Sequence, residues 1–237
     1  MPRDLFGRDP KDEAQLTASP ESQNSGAMGQ DWHNDFTIDR GDEGFGFGPS
    51  RNAQGDDKAL SDLHPYVQTL SLSDVDSCVA LENATFPEHE RCSREKFIYR
   101  LTTCPELSLG LFSTTTPDGP TAALPTYAHS RPPDSASPTK KSTLVAQVIA
   151  TKCASTTVTD ESMEYPSDWR DRVSLSERQG HQEHGRTIAV HSLAALPEFK
   201  GRGLGKIVMR SYMQRMESSG IADRIVLLAH DHLIGKS

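Results

Sequence analysis

The sequence lacks the features that would assign it to several common classes of protein. It has no run of about 18 or more apolar residues, so it predicts no membrane span. Its N-terminus, Met-Pro-Arg-Asp-Leu-Phe-Gly-Arg-Asp, has no apolar stretch typical of a secretory signal. Basic residues are in the minority, with 25 Lys and Arg against 33 Asp and Glu. The resulting net charge of −8 argues against a dedicated nucleic-acid binder, which usually presents a basic face.

Cysteine is also scarce. Its four positions, Cys78, Cys92, Cys104 and Cys153, have no CxxC spacing and lie far apart. This pattern favours buried or free thiols in a reducing compartment over a disulfide or zinc framework. The pair of histidines in the segment 230–232 has no third ligand beside it, so we expect no metal site. We expect a cytoplasmic protein.

Sustained apolar patterns are missing from two parts of the chain. Residues 1–62 mix Asp, Gly, Ser, Asn and Gln without a helical or strand period, which predicts a disordered tail. Its glycine-rich segment 41–48 has neither a preceding strand nor a following helix, so we do not interpret it as a nucleotide motif. Residues 113–141 are rich in Thr, Pro, Ser and Gly and predict a disordered surface insertion. The insertion interrupts one predicted domain, 63–237.

Within that domain the apolar pattern alternates between strand and helix periods. Ser73 with Asp76 resembles a capping box at the first helix, Ser93 is a candidate N-cap of the second, and Gly220 is a candidate stop for the third. The order is β-α-α-β-β-β-α-β, which defines an α/β fold class. A further helical piece is possible at 174–178. The predicted strands cover 66–72, 107–112, 143–150, 186–196 and 225–229, and the predicted helices cover 74–84, 93–101 and 203–218.

A strand, a glycine-rich basic turn and an amphipathic helix follow one another between residues 190 and 218. The turn is Lys200-Gly201-Arg202-Gly203-Leu204-Gly205-Lys206. A strand that leads into such a turn at a helix N-terminus presents backbone N–H groups to a phosphate. The sequence therefore predicts a ligand that carries a pyrophosphate. It does not match a phosphate-loop NTPase, because Ile207 stands where that motif requires a hydroxyl residue.

The first six residues of this turn resemble the R/Q-x-x-G-x-G/A motif of the GCN5-related N-acetyltransferases, with lysine at the first position. Three more segments are similar to the arylalkylamine N-acetyltransferases of that family. They are Leu-Thr-Thr-Cys-Pro-Glu-Leu-Ser-Leu-Gly-Leu-Phe at 101–112, His-Ser-Leu-Ala at 191–194 and Val-Leu-Leu-Ala-His-Asp at 226–231. The resemblance is nearest to fungal-type arylalkylamine or polyamine enzymes and extends over residues 63–234. It implies a central mixed sheet with flanking helices.

The resemblance also implies ligands and the residues that hold them. Acetyl-coenzyme A would be the co-substrate and the primary amine of a small arylalkylamine or polyamine the acceptor. Backbone groups of Leu193 and Ala195 would pair with the pantetheine arm as if it were an added strand. The turn would bind the coenzyme, with its N–H groups from Gly201 to Lys206 on the pyrophosphate. The residues of the turn are Lys200, Gly201, Arg202, Gly203, Leu204, Gly205 and Lys206.

His191 is the candidate catalytic residue, on the strand that precedes the turn. An alkylammonium has a pKa near ~10, so direct acyl transfer to the amine requires a route for its proton, and histidine titrates in a suitable range. In the resembling enzymes a histidine here helps a water relay withdraw that proton. A second histidine of those enzymes corresponds to Ala189. A packed strand histidine bonded to a backbone carbonyl is the alternative interpretation of His191.

The resembling enzymes continue after their last matching strand with a Pro-Phe-Tyr-type segment, a helix and two strands. That part carries a tyrosine thought to protonate the departing thiolate. This chain ends at Gly235-Lys236-Ser237, and no tyrosine follows Tyr212. We therefore expect a truncated fold that lacks the C-terminal helix and strands, with weak or absent turnover. The alternative is a catalytically inactive coenzyme A-binding or regulatory module. In either case we expect a monomer that binds no nucleic acid and no membrane.

Overall fold

The computed structural model describes residues 39–40, 45–46, 63–171 and 179–228. Within the predicted tail 1–62 it describes a short antiparallel pair, Asp39–Arg40 with Phe45–Gly46. The rest of the tail, the possible helical piece at 174–178, the histidine pair in 230–232 and the expected truncation beyond the last strand lie outside the described residues. Those interpretations stay predictions.

A five-stranded mixed sheet forms the centre of the domain. In spatial order it contains β1 (Pro65–Thr69), β2 (Leu109–Thr115), β3 (Lys141–Cys153), β4 (Thr187–Ala195) and β5 (Arg224–Leu227). The first four strands pair antiparallel, and β4 pairs with β5 in parallel. A parallel pair needs a crossover connection, which the third long helix supplies. The sheet and its flanking helices confirm the predicted α/β fold class.

Three long helices flank the sheet: α1 (Val75–Thr85), α2 (Arg94–Thr103) and α3 (Leu204–Ser219). The predicted order of strands and helices is therefore confirmed. A four-residue helix, Asp160–Met163, lies between β3 and β4. None of the helices in the described ranges has the length and apolar character needed to cross a bilayer. Short 3-10 helices cover Leu72–Asp74, Glu88–Glu90, Pro105–Leu107, Tyr127–His129 and Pro197–Phe199.

Local signals fix the ends of two of these helices as predicted. The Ser93 hydroxyl accepts a hydrogen bond from the Lys96 N–H at 3.2 Å, which caps α2. Gly220 ends α3 with a left-handed φ of 62°. The predicted capping box of α1 was wrong by two residues. It is formed by Ser71 and Asp74, because the chain enters α1 through the 3-10 turn Leu72–Asp74.

The segment between β2 and β3 differs from the disordered insertion that its composition predicts. Its ends, 113–115 and 141, belong to the strands. Leu124 is buried in the hydrophobic core, and the Thr126 hydroxyl donates to the Leu144 carbonyl at 2.6 Å. The Ser130 hydroxyl donates to the Thr126 carbonyl at 3.0 Å. A few anchoring side chains thus hold the segment on the domain, although its average composition is polar.

Candidate active site

A β-bulge in β4 positions His191. Ser192 pairs with Ile149 and Val190 pairs with Ala150, so His191 is the extra residue of β4 at this point. A bulge interrupts the alternation of side chains between the two faces of a sheet. As a result His191 and its neighbour Ser192 both reach side chains on the face that carries α1 and α2.

Both ring nitrogens of His191 have partners. Nε2 lies 2.8 Å from the Thr151 hydroxyl of β3, and Nδ1 lies 2.9 Å from the thioether sulfur of Met163. Because a thioether sulfur can only accept, we assign the ring proton to Nδ1 and infer that Nε2 accepts from Thr151. The basic nitrogen of the ring therefore faces Thr151.

Burial and nearby positive charge keep this ring neutral. Burial lowers the pKa of His191 well below its ordinary value, and the positive charges of Arg100 and Lys96 act in the same direction. At pH 7 the imidazole is consequently unprotonated, which a general base requires. The structure thus preserves both interpretations of His191, although its partner is a threonine hydroxyl rather than a backbone carbonyl.

Beside the histidine lies a buried carboxylate that the sequence analysis missed. Glu82 of α1 accepts from the Ser192 hydroxyl at 2.8 Å, from the Gln147 amide at 3.1 Å and from the Cys92 N–H at 3.0 Å. Desolvation raises the pKa of Glu82, against the opposing effect of these hydrogen bonds and of Arg100. A signal was present in the sequence: Glu82 stands on the buried stripe of an amphipathic helix, seven positions after Val75.

Arg100 of α2 is the second buried charge near the histidine. Its side chain is 2% exposed, and its guanidinium donates to the Met163 carbonyl at 2.9 Å and to the Cys92 sulfur at 3.3 Å. A buried guanidinium is tolerated only when acceptors meet its N–H groups. Arg100 therefore joins α2 to the segment that contacts His191.

One edge of β4 is open next to the histidine. The Leu196 N–H donates to the Val145 carbonyl at 2.9 Å, and Ala195 stands opposite Ala146. The alternation of an antiparallel ladder then directs the backbone groups of Leu193 and Ala195 away from β3. Among the described residues, β5 pairs only with 187–190 of this edge. The edge beyond is available to an extended ligand, apart from a 3.4 Å contact between the Thr85 hydroxyl and the Ala195 carbonyl.

The glycine turn follows this edge and leads into α3. Gly201 and Gly203 have left-handed φ values of 78° and 72°. A Cβ at either position would meet no atom within 4 Å, so the backbone conformation rather than crowding requires glycine there. The backbone at these two glycines therefore borders open space.

The backbone donors of the turn divide into two groups. The N–H groups of Lys200 and Arg202 donate to the Pro197 and Phe199 carbonyls, each at 3.0 Å. The predicted use of the Arg202 N–H for pyrophosphate therefore disagrees with the structure. The first N–H of α3 that forms a helical hydrogen bond is that of Ile207, which donates to the Gly203 carbonyl at 3.0 Å. The N–H groups that precede it in α3 therefore have no acceptor within the helix. Those groups belong to Leu204, Gly205 and Lys206.

A separate cleft lies between α3 and β5. It has a volume of about 400 Å³, and its walls include Ile188, Met213 and Ile225. Neither His191 nor any residue of the glycine turn lines it. The candidate site is thus an open strand edge bounded by His191 and the turn, rather than this cleft.

The comparisons with known proteins bear on this same region. Residues 167–234 match the model of the Acetyltransferase (GNAT) family, which covers β4, the glycine turn, α3 and β5. A comparison with curated proteins found no match.

Solved structures that match the chain have low sequence identity to it. The loading GNATL domain of CurA from Lyngbya majuscula is 13% identical with a TM-score of 0.45, over 70% of this chain and 65% of that one. The GphF GNAT-like decarboxylase in complex with isobutyryl-CoA is 16% identical with a TM-score of 0.45, over 68% and 64%. The PaiA N-acetyltransferase from Thermoplasma acidophilum in complex with coenzyme A is 14% identical with a TM-score of 0.37, over 67% and 76%. The chain spans just under two thirds of the length of the first two.

Proposed function

We propose that the protein is an N-acetyltransferase that moves the acetyl group of acetyl-coenzyme A to the primary amine of a small arylalkylamine or polyamine. The observation that carries this proposal is the open edge of β4, which runs from His191 to the glycine turn. The family match over 167–234 supports it, because that match contains both ends of the edge.

The residues of the edge and the turn fit the shape and charge of the coenzyme. An extended pantetheine arm pairs with the outward backbone groups of Leu193 and Ala195, as a strand would. The pyrophosphate lies at the start of α3, where the N–H groups of Leu204, Gly205 and Lys206 and the helix dipole favour negative charge. The side chains of Lys200, Arg202 and Lys206 add positive charge around the turn.

The acetyl group then lies near His191, at the far end of the edge from the pyrophosphate. The amine nitrogen attacks the thioester carbonyl and forms the new C–N bond, and the C–S bond breaks to release the coenzyme as a thiolate. One proton leaves the amine and one is taken up by the thiolate, so the overall exchange is balanced. His191, neutral at pH 7, accepts the proton of the amine directly or through a water molecule.

An inactive coenzyme A-binding module is the second candidate. It is favoured by one observation, that both ring nitrogens of His191 already have partners. The expectation of weak turnover from the sequence agrees with this alternative and stays a prediction.

Two measurements on the full chain test these functions together. Calorimetric titration with coenzyme A measures binding, and an acetylation assay with tryptamine and spermidine measures transfer. Binding with transfer supports the enzyme, and binding alone supports the module. If coenzyme A fails to bind at millimolar concentration, both proposals are wrong.

A further inference from the structure

A segment between β3 and β4, which we call the covering arm (residues 158–171), contacts His191. It begins with the four-residue helix Asp160–Met163. Thr159 caps this helix: its hydroxyl accepts from the Ser162 N–H at 3.3 Å, and the Thr159 N–H donates to the Ser162 hydroxyl at 3.0 Å. A helix of one turn is not stable by itself, so its position depends on what it packs against.

The covering arm rests on α2 through contacts with four of its side chains. Glu164 pairs with Lys96 at 2.7 Å, and Arg170 pairs with Glu95 at 2.8 Å. The third contact is aromatic, since the Tyr99 ring lies 5.5 Å from the rings of Tyr165 and Trp169. The fourth is the Arg100 guanidinium on the Met163 carbonyl, at 2.9 Å.

Two of these four contacts, the ion pairs, lie at the protein surface and bind the arm weakly, whereas Tyr99 and Arg100 are buried. The side chains of Lys96 and Glu164 are 24% and 51% exposed, and those of Arg170 and Glu95 are 60% and 32% exposed. Ion pairs with this exposure contribute little to stability. A segment of one helical turn held by four side-chain contacts opens locally at a lower cost than global unfolding.

The closed arm occupies the approach to the histidine. The Met163 sulfur lies at Nδ1 and the Thr151 hydroxyl at Nε2, so both in-plane positions of the ring are filled. An acceptor, or a water that relays its proton, needs one of these two positions. Thr151 is buried in the central strand β3, whereas Met163 is half-buried and belongs to the covering arm. When Met163 leaves, the ring proton moves to Nε2 and is donated to the Thr151 hydroxyl, so Nδ1 becomes the basic nitrogen.

We propose that the covering arm is a gate: Met163 closes His191 to the acceptor amine, and the acceptor reaches the ring only when the arm leaves α2. This inference rests on the proposed acetyltransferase function. The gate predicts that loosening the arm increases access to His191 without changing the coenzyme site, which lies beyond the other end of β4.

The test reverses one charge of the arm and then restores the pair. Glu164→Lys places two positive charges together and opens the arm, while Lys96→Glu combined with Glu164→Lys restores an attractive pair. Arg94→Glu is the matched control, because Arg94 is also on α2 but pairs with Asp76 of α1, outside the arm. Hydrogen exchange of residues 160–169 measures opening, and modification of His191 by diethylpyrocarbonate measures access.

We expect Glu164→Lys to increase both rates about two- to fivefold, a change set by the loss of one exposed ion pair. The double variant and Arg94→Glu should remain within error of the natural sequence. In the acetylation assay, kcat/KM for the amine should rise by a similar factor in Glu164→Lys with the coenzyme Kd unchanged.

Faster exchange of the arm with unchanged modification of His191 would overturn the gate. A fall in kcat/KM that the double variant restores would also overturn it, because such a fall would assign the arm to the amine pocket. Unchanged exchange in Glu164→Lys would also overturn it. If no variant turns over, the acetyltransferase proposal fails, while exchange and modification still decide whether the arm gates the histidine.

Discussion

At the scale of single residues, Gly203 and Gly220 hold opposite ends of α3 in the same left-handed conformation, with φ of 72° and 62°. Only Gly203 lies beside the N–H groups that we assign to pyrophosphate. A Cβ at either position meets no atom within 4 Å, so alanine adds a similar backbone strain at both, about 1 kcal/mol. The two glycines therefore form a matched pair for testing the turn.

We expect Gly203→Ala to weaken coenzyme A binding about tenfold, because a shift of the turn misaligns several N–H groups and about 1.4 kcal/mol corresponds to that factor. Calorimetric titration measures the change. Gly220→Ala should lose a similar amount of stability and keep the natural affinity. Equal affinities of the two variants for coenzyme A would contradict the assignment of the turn to the coenzyme site.

The neutral state of His191 makes stability depend on pH. Burial and the positive charges of Arg100 and Lys96 lower the pKa of His191 in the folded chain. As the pH falls below about 6.5, the unfolded chain takes up this proton first. The stabilisation from neutral His191 is therefore complete above that pH and is lost as the pH falls toward the folded-state pKa.

We expect the free energy of unfolding of the natural protein to fall more steeply than that of His191→Asn between about pH 7 and about pH 5. Urea denaturation across this range measures both slopes. The comparison isolates the histidine, because other groups titrate alike in the two proteins. Parallel curves would show that His191 is protonated as easily in the folded chain as in the unfolded one.

At the scale of elements, Glu82 joins α1 to the sheet. Its carboxylate accepts from Gln147 of β3, Ser192 of β4 and the Cys92 N–H of the link to α2. We expect Glu82→Ala to lower the free energy of unfolding by about 3–5 kcal/mol, because two buried donors and the half-buried Cys92 N–H lose their acceptor. Chemical denaturation measures the loss.

Asp76 provides the control on the same helix. It forms an exposed ion pair with Arg94 at 3.0 Å, so Asp76→Ala should cost less than about 1 kcal/mol. A cost for Glu82→Ala as small as that of Asp76→Ala would contradict the role of Glu82 in joining α1 to the sheet.

The elements were predictable where a short stretch of sequence determines them. Apolar periods located the strands and long helices. Ser93 and Gly220 each determine a helix end that lies within one turn of their own position. Contacts between distant residues gave no local signal. Glu82 meets Gln147 65 positions away and Ser192 110 positions away. The anchoring of Leu124 and Thr126 likewise depends on the core beneath them, so an average over 113–141 concealed it.

In the candidate site too, local features were predictable from the sequence and contacts between distant residues were not. The glycine turn was found because its residues are consecutive. The bulge at His191 was not, because it depends on the register between β3 and β4, and a register is a property of two strands. The contact of Met163 with the ring was hidden for the same reason, since Met163 lies 28 positions before His191.

At the scale of the whole molecule, the sheet has a protected centre and a short edge. β3 has 13 residues and pairs with strands on both sides, whereas β5 has four residues and pairs with β4. We expect the amides of β3 that are bonded to β2 or β4 to exchange only by global unfolding and those of β5 to exchange at least about tenfold faster. Hydrogen exchange with mass spectrometry measures both. Similar protection in the two strands would indicate that β5 is covered by another segment or partner.

The bulge in β4 has a consequence for how this chain tolerates deletions. Removing one residue from a regular strand transfers every following side chain to the other face of the sheet. His191 is the surplus residue of its ladder, so its excision joins Val190 directly to Ser192 and leaves the pairs with Ala150 and Ile149 in register. We therefore expect a chain that lacks His191, the residue proposed for catalysis, to keep its sheet and the glycine turn that follows it.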